Sequence, residues 1–273
     1  MVFAEEVCAN GEICLTPVER HWFFGCPLLG SHAVEMLAAS MDSIAQWYAP
    51  LFPKIIISGI RPQGQLQSLL PRVFGTGFGI CRLAEGRQCA ASLAGGLDGF
   101  LSRRSANHRH KLKKEYRQAT ERGIYFERVL PISPQEAATT YERIIAVEQA
   151  SWKGIGRCGM AEPPARRFYD VLLRRLSASG QGRVIFAGQE GRDIGFILGG
   201  KAGNIYRGQQ FSYAEDWKSF SIGNLMQMEQ IRWLCEEGAE RYDMGPIMGP
   251  RMAYKAHWTE QTMPLQIWLL ERK

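Results

Sequence analysis

Between residues 183 and 237 the hydrophobic pattern changes period once, and this change limits the fold more than any other feature of the chain. Residues 183–187, 193–199 and 204–213 are short blocks rich in β-branched and aromatic side chains, separated by glycine-containing turns. That is the pattern of consecutive strands. The polar stretch 214–221 follows, and from Ile222 to Glu237 the apolar residues recur at helical spacing. Residues 241–244 then read as a short strand, 252–258 as a short helix and 265–270 as a closing strand. A meander followed by helix, strand, helix and strand mixes the two element types along one stretch, so an α/β fold is expected.

The upstream half carries weaker signals of the same kind. Val34, Leu37, Ala38, Met41, Ile44, Ala45 and Tyr48 predict one helix, stopped by Pro50 and Pro53. Residues 54–60 predict a buried strand and 65–74 a short helix. Residues 78–83 and 87–93 read as two strands joined by a Glu85-Gly86 turn. Asp98 is placed as the cap of a single long helix over 99–122, ended by Gly123, and 124–130 as a strand. Ser133, Pro134 and Glu136 form a capping box for a helix running to about Trp152. Pro163-Pro164 opens a further helix that ends at Gly180. Basic residues crowd together around 98–122. The expected division is a shortened N-terminal α/β lobe over 1–97 and a C-terminal domain over 98–273.

Composition excludes several classes. A chain of 273 residues with 45% hydrophobic and 22% charged residues can bury a real core. The formal net charge of +6 favours anionic partners, though weakly. No apolar run approaches the roughly 18 residues that cross a bilayer. Glu5 and Glu6 near the start, with no early Lys or Arg, do not match a secretory signal. Seven cysteines lie at 8, 14, 26, 81, 89, 158 and 235, without a C-x-x-C spacing, and predict a reduced, cytoplasmic protein. No phosphate-binding P-loop, H-E-x-x-H or G-x-S-x-G motif occurs, and Gly75-Thr-Gly-Phe-Gly79 fails the dinucleotide pattern. His108 and His110 are two apart on a predicted helix and make a poor metal pair, so no metal is expected.

Five local signatures, in order, carry a family resemblance. They are the basic helix from Phe100 through Arg117, the run Glu148-Gln-Ala-Ser-Trp-Lys-Gly154, Phe168-Tyr169 followed by strands ending at Tyr213, Ser221-Ile-Gly-Asn-Leu225, and Tyr242-Asp-Met-Gly245 followed by Tyr254-Lys-Ala-His-Trp258. Together they resemble the GNAT superfamily, in its CelD-like and FemAB-like acyltransferase branch. The resemblance covers about the last 175 residues. It implies a GNAT-like mixed sheet flanked by helices, with residues 1–97 as a truncated first GNAT-like lobe. Two positions depart from the branch: its common Tyr-Asp is Tyr213-Ala214 here, and its Pro is Ile222.

The resemblance implies acyl-CoA, usually acetyl-CoA, as a co-substrate and no permanently bound cofactor. Ser221, Ile222, Gly223, Asn224 and Leu225 would hold its pyrophosphate at a helix start, where free N–H groups and the helix dipole favour anions. Ser221 as a simple helix cap is the alternative. Glu148 and His257 are the candidate bases, with Asp243 pairing Lys255 or orienting His257, and Tyr254 protonating the leaving thiolate. Trp152, Lys153, Arg207, Gln209 and Lys255 would line the acceptor side. Glu148, Trp152, Asp243 and His257 are expected to converge on one cleft. The basic helix holds only Tyr116 among its cations and matches no nucleic-acid reader motif, so a small-molecule acceptor is expected rather than a nucleic-acid partner. Direct acyl transfer to an amine or hydroxyl is the leading reading. A FemAB-like transfer from aminoacyl-tRNA and a non-catalytic acidic-ligand binder remain alternatives.

Overall fold

The computed structural model describes residues 1–8, 10–18, 25–247 and 249–273. In chain order the elements are β1 (Phe3–Val7), β2 (Ile13–Pro17), α1 (Ala33–Ala39), α2 (Met41–Trp47), β3 (Lys54–Ile60), α3 (Gln65–Phe74), β4 (Phe78–Ser92), α4 (Gly96–Ser102), α5 (Ala106–Glu121) and β5 (Tyr125–Val129). They continue with α6 (Pro134–Ala150), α7 (Trp152–Ile155), α8 (Ala165–Ala178), β6 (Gly182–Gln189), β7 (Arg192–Ala202), β8 (Ile205–Tyr213), α9 (Ile222–Glu236), β9 (Arg241–Ile247) and β10 (Gln261–Arg272). Short 3-10 helices occupy Glu215–Phe220 and Pro250–His257.

The chain forms two compact units, one from residues 1–89, 245–255 and 262–273, the other from 90–244 and 256–261. The expected boundary at 97/98 lies near the first crossing, but the chain later returns twice to the first unit. In that unit the strand order is β1-β2-β3-β10-β4. The β1/β2 pair is antiparallel, β2/β3 parallel and β3/β10 antiparallel. Val34, Leu37, Leu70 and Phe74 from its helices close over Ile55, Ile57 and Leu270.

In the second unit the order is β9-β8-β7-β6-β5. Strands β5 to β8 are antiparallel neighbours, and β8/β9 is parallel. Alternation along each strand sorts the side chains onto two faces. Val184, Phe186, Phe196 and Leu198 pack under α6 and α8. Ala187 and Ile197 face the other way, toward Ala119 of α5 and Ile222, Leu225 and Met226 of α9.

Three expected elements differ. The single helix over 34–48 is two, because Ser40 at the junction turns its hydroxyl back to the carbonyl of Met36 at 2.8 Å. The Glu85-Gly86 turn is absent, and β4 runs unbroken through both residues. The helix over 99–122 breaks at Ser105, whose extended backbone lets its hydroxyl accept from the amide of His108 at 3.2 Å and cap α5. Asp98 therefore lies inside the first turn of α4 rather than at its cap. The Ser133 capping box forms, with the Glu136 amide donating to Ser133 Oγ at 3.1 Å.

Candidate functional site

Strands β8 and β9 share three parallel rungs, Ile205 with Arg241, Tyr206 with Tyr242 and Arg207 with Asp243. Beyond them β8 continues to Tyr213. Just past the last rung its pairing with β7 slips: Gly208 faces Gly199, but Gln210 faces Leu198, so Gln209 is an extra residue. The bulge exchanges the faces of β8. Before it, Tyr206 donates to Gln230 at 3.2 Å, and in β9 Tyr242 donates to Gln227 at 2.7 Å, both acceptors lying on α9. Arg207 and Asp243 thus point to the opposite face, where Arg207 Nη1 lies 3.4 Å from Asp243 Oδ2. After the bulge, Phe211 and Tyr213 face α9, and a Cβ on Gly223 would come within 3.2 Å and 3.3 Å of their rings. Gln210 turns to the α8 side and donates to Tyr169 Oη at 2.7 Å.

A buried polar chain holds β8 from that side. Lys153 donates to Gln210 Oε1 at 3.2 Å and to the Phe211 carbonyl at 3.0 Å. Its ammonium is 3.5 Å from Glu148 Oε1. Burial pushes the Lys153 pKa below the ordinary lysine value, and the Glu148 charge opposes that shift. Glu148 itself is 0% exposed. Its Oε1 accepts from the Met160 amide at 2.9 Å and its Oε2 from Ser151 Oγ at 3.4 Å. Gly159 makes this approach possible, since a Cβ there would stand 2.2 Å from Glu148 Oε1. The expected general base is therefore an enclosed anchor, without the open face that proton exchange with an acceptor needs. Trp152, four residues further on, is 41% exposed.

The start of α9 is less open to an anion than its sequence promises. Ser221 takes the left-handed conformation, φ +57°, and does not cap the helix with its side chain. Its hydroxyl donates to Glu115 Oε1 at 2.7 Å. Ile222 and Leu225 are fully buried in the core, so neither side chain can touch a ligand. Asn224 is half-buried, and the amides of the first turn remain, next to a carboxylate.

The remaining predicted residues do not join one group. His257 is exposed, and Trp258 beside it is buried against Phe100 of α4 and His108 of α5, with ring centroids at 6.4 Å and 4.9 Å. Burial, followed by the charges of His257 and Arg104, lowers the His108 pKa. His257 thus stands with the α4–α5 helices, while Glu148, Lys153, Arg207 and Asp243 share the other face of the sheet. The expected convergence of Glu148, Trp152, Asp243 and His257 on one cleft is corrected accordingly. Tyr254 and Lys255 belong to the first unit, where Lys255 is buried and donates to the Pro246 carbonyl at 2.7 Å. Glu115, Tyr169 and Gln210 were not singled out from the sequence for these contacts. Glu115 had a readable signal, an acid three residues from Leu112 and four from Ala119 on the apolar stripe of a basic helix.

Among the described residues no cluster of three or more His, Cys, Asp or Glu could hold a metal ion. No helix among them is long and apolar enough to cross a membrane.

Comparison with known proteins gives the family. No curated protein matches the chain. Among solved structures, the C-terminal domain of a putative lysylphosphatidylglycerol synthetase from Agrobacterium fabrum superposes with a TM-score of 0.62 at 12% identity, covering 99% of this chain and 84% of that one. L-PGS from Bacillus licheniformis gives a TM-score of 0.61 at 14% identity, with 99% and 84% covered. FemX gives 0.59 at 14% identity, with 97% and 88% covered. These likenesses show a shared fold. Residues 106–256 match the model of the acetyltransferase (GNAT) domain, and with more than half of its length inside that match the chain belongs to the GNAT acetyltransferase family.

Proposed function

We propose that this GNAT-family protein takes an acyl group from an acyl-CoA thioester and passes it directly to an amine or hydroxyl of a small metabolite, sugar or cell-envelope precursor. The observation that carries this reading is the early end of the β8/β9 pairing beside the Gln209 bulge. Past the third rung, an extended thioester arm can add to β8 as a surrogate strand. A bulge residue is left out of the ladder, so its peptide group is available to the oxygen that gains charge during transfer. Arg207 and Asp243 lie at the mouth of the divergence. Glu148 and Lys153 then act by position, fixing β8 just past the bulge through Gln210 and Phe211. Most of the rate would come from alignment of the two substrates.

The test is thermal unfolding with acetyl-CoA, longer acyl-CoAs and free CoA, joined to release of CoA thiol in the presence of amine acceptors. A donor at 100 times its dissociation constant should add about 2.7 kcal/mol of stability. Stabilisation together with acceptor-dependent thiol release supports the reading. No stabilisation at millimolar acyl-CoA overturns it. A second reading, transfer from an aminoacylated RNA, is favoured by the basic face of α5, where His110, Lys111, Lys113, Lys114 and Arg117 line one depression. It predicts RNA binding that persists at physiological salt and no dependence on CoA.

A further inference from the structure

We propose that Cys8 and Cys14 are a redox pair, which a disulfide of a small thiol oxidises to a bond that fastens the edge strand β1 to β2. The proposal is independent of the acyl-transfer reading. Glu6 of β1 stands opposite Cys14 of β2, and Val7 opposite Ile13. The Cys8 amide donates to the Glu12 carbonyl at 2.8 Å, so the antiparallel pairing continues one residue past the end of β1. Side chains alternate along a strand, so Cys8 shares the face of Glu6 and therefore that of Cys14. The two cysteines are diagonal neighbours on that face. Their sulfurs lie 3.0 Å apart and both are free thiols. A disulfide is about 2.05 Å long, so closing the bond needs a sulfur movement of about 1 Å and no new pairing of the strands.

The position of the pair gives the bond a consequence. Among the described residues β1 is the outermost strand of its sheet, with β2 as its neighbour. β2 is registered to β3 by the parallel rungs Cys14 with Lys54 and Leu15 with Ile55. Cys14 is thus both the neighbour of Cys8 and a rung that ties the hairpin to β3. Lys54 reinforces the same corner, with its ammonium 2.7 Å from Glu12 and 3.3 Å from Glu271 of β10. A covalent link here restricts the local unzipping of β1 from β2.

The two thiols differ in access, and this orders the chemistry. Cys8 is half-buried and Cys14 is buried. Burial, and then the neighbouring Cys8, pushes the Cys14 thiol up to about 11; Lys54 opposes the rise and Glu12 adds to it. Cys8 therefore attacks first. Its thiolate bonds one sulfur of the small disulfide, expels the other as a thiolate and leaves a mixed disulfide on Cys8. The Cys14 thiolate then attacks the Cys8 sulfur and expels the second small thiolate. Two protein thiols and one small disulfide become one protein disulfide and two small thiols. The two protons pass to the leaving thiolates, and two electrons pass from the protein to the small disulfide.

The test exposes the full chain to graded mixtures of reduced and oxidised glutathione at fixed total concentration. Remaining thiols are then blocked by alkylation and the peptides mapped by mass spectrometry. The expected result is a Cys8–Cys14 disulfide at an oxidised fraction roughly tenfold lower than the one that puts glutathione on the exposed Cys81 and Cys158. Amide hydrogen exchange in β1 should slow by roughly tenfold in the oxidised protein and recover on reduction. Cys14→Ser should stop after the first step, with glutathione held on Cys8, and Cys8→Ser should form no disulfide at Cys14. Both main readouts use the wild type, so a variant that fails to fold does not remove the test. Glutathione on Cys8 without a bond to Cys14 at full oxidation overturns the pair. So does a disulfide from Cys8 or Cys14 to another cysteine in its place. A Cys8–Cys14 bond that leaves exchange in β1 unchanged overturns the fastening.

Discussion

Lys153 is a largely buried cation, and its environment sets two measurable properties. It stands against the fully buried Glu148, with Gln210 and the Phe211 carbonyl as its other partners. Removing one charge strands the other, so Lys153→Met is expected to cost about 3–5 kcal/mol in chemical denaturation. Adding Glu148→Gln to that variant should restore most of the loss, and a double-mutant cycle with no coupling would refute the pairing. The second property is a pH dependence. Burial holds the Lys153 pKa below 10.5, its ordinary value and that of the unfolded chain. Between the two values the unfolded state binds more protons, so stability rises with pH. Relative to the double variant, the wild type should gain stability as pH is raised toward 10.5, the ordinary lysine value. A flat difference would show that the ammonium is not desolvated. Gly159 supplies a third residue-scale check. Its missing Cβ makes room for Glu148 Oε1, so Gly159→Ala should displace the carboxylate at a cost of about 1–3 kcal/mol, read in the same denaturation experiment.

At the scale of elements, the Gln209 bulge organises the second unit. It alone lets β8 give Tyr206 to α9 before the slip and Phe211 to α9 after it, with Gln210 turned toward α8. Deleting Gln209 would restore a regular alternation and send Gln210, Phe211 and Tyr213 to the wrong faces. That variant is expected not to fold its second unit, seen as lost hydrogen-exchange protection in β7 and β8. Gln209→Ala keeps the backbone count and should change stability by no more than about 0.5 kcal/mol. Native-like protection in the deletion variant would show that the bulge is not what orients the strand. Strands β6 to β8 and helix α9 were legible because their periods of two and 3.6 survive in the sequence. The bulge was not, because register belongs to a pair of strands and Gly199 and Leu198 lie on β7. The break at Ser105 was missed for a related reason, since the helical pattern of charge runs straight across it. The Glu148 site was half legible: spacing put Glu148 and Trp152 on one face, but the seal over Glu148 comes from Met160 and Gly159, which only tertiary folding brings there.

For the whole molecule, the strand that ends the chain is the one that completes its beginning. β10 lies between β3 and β4 in the first unit, pairing Leu270 with Ile55 and Leu269 with Ile56. Local patterns marked a closing strand at 265–270 but gave no sign of where it inserts, because its partner is about 200 residues away in sequence. Hence a boundary drawn from composition near residue 97 assigns 262–273 to the later domain, while the packing returns it to the earlier one. The energetic consequence can be estimated. Leu265, Ile267 and Leu270 are buried, and side chains of this size each contribute about 1.5–3 kcal/mol on burial, or roughly 5–9 kcal/mol together. That is comparable to the whole stability of a typical domain, about 5–15 kcal/mol. A chain stopped after Glu260 also leaves β3 and β4 without the strand that joins them, exposing two edges at once. We therefore expect this truncated protein to lose hydrogen-exchange protection over β3 and to become protease-sensitive within residues 1–89. Retained protection at Ile55 and Ile57 would mean that the first unit folds without its last strand, and would return the domain boundary to where composition alone places it.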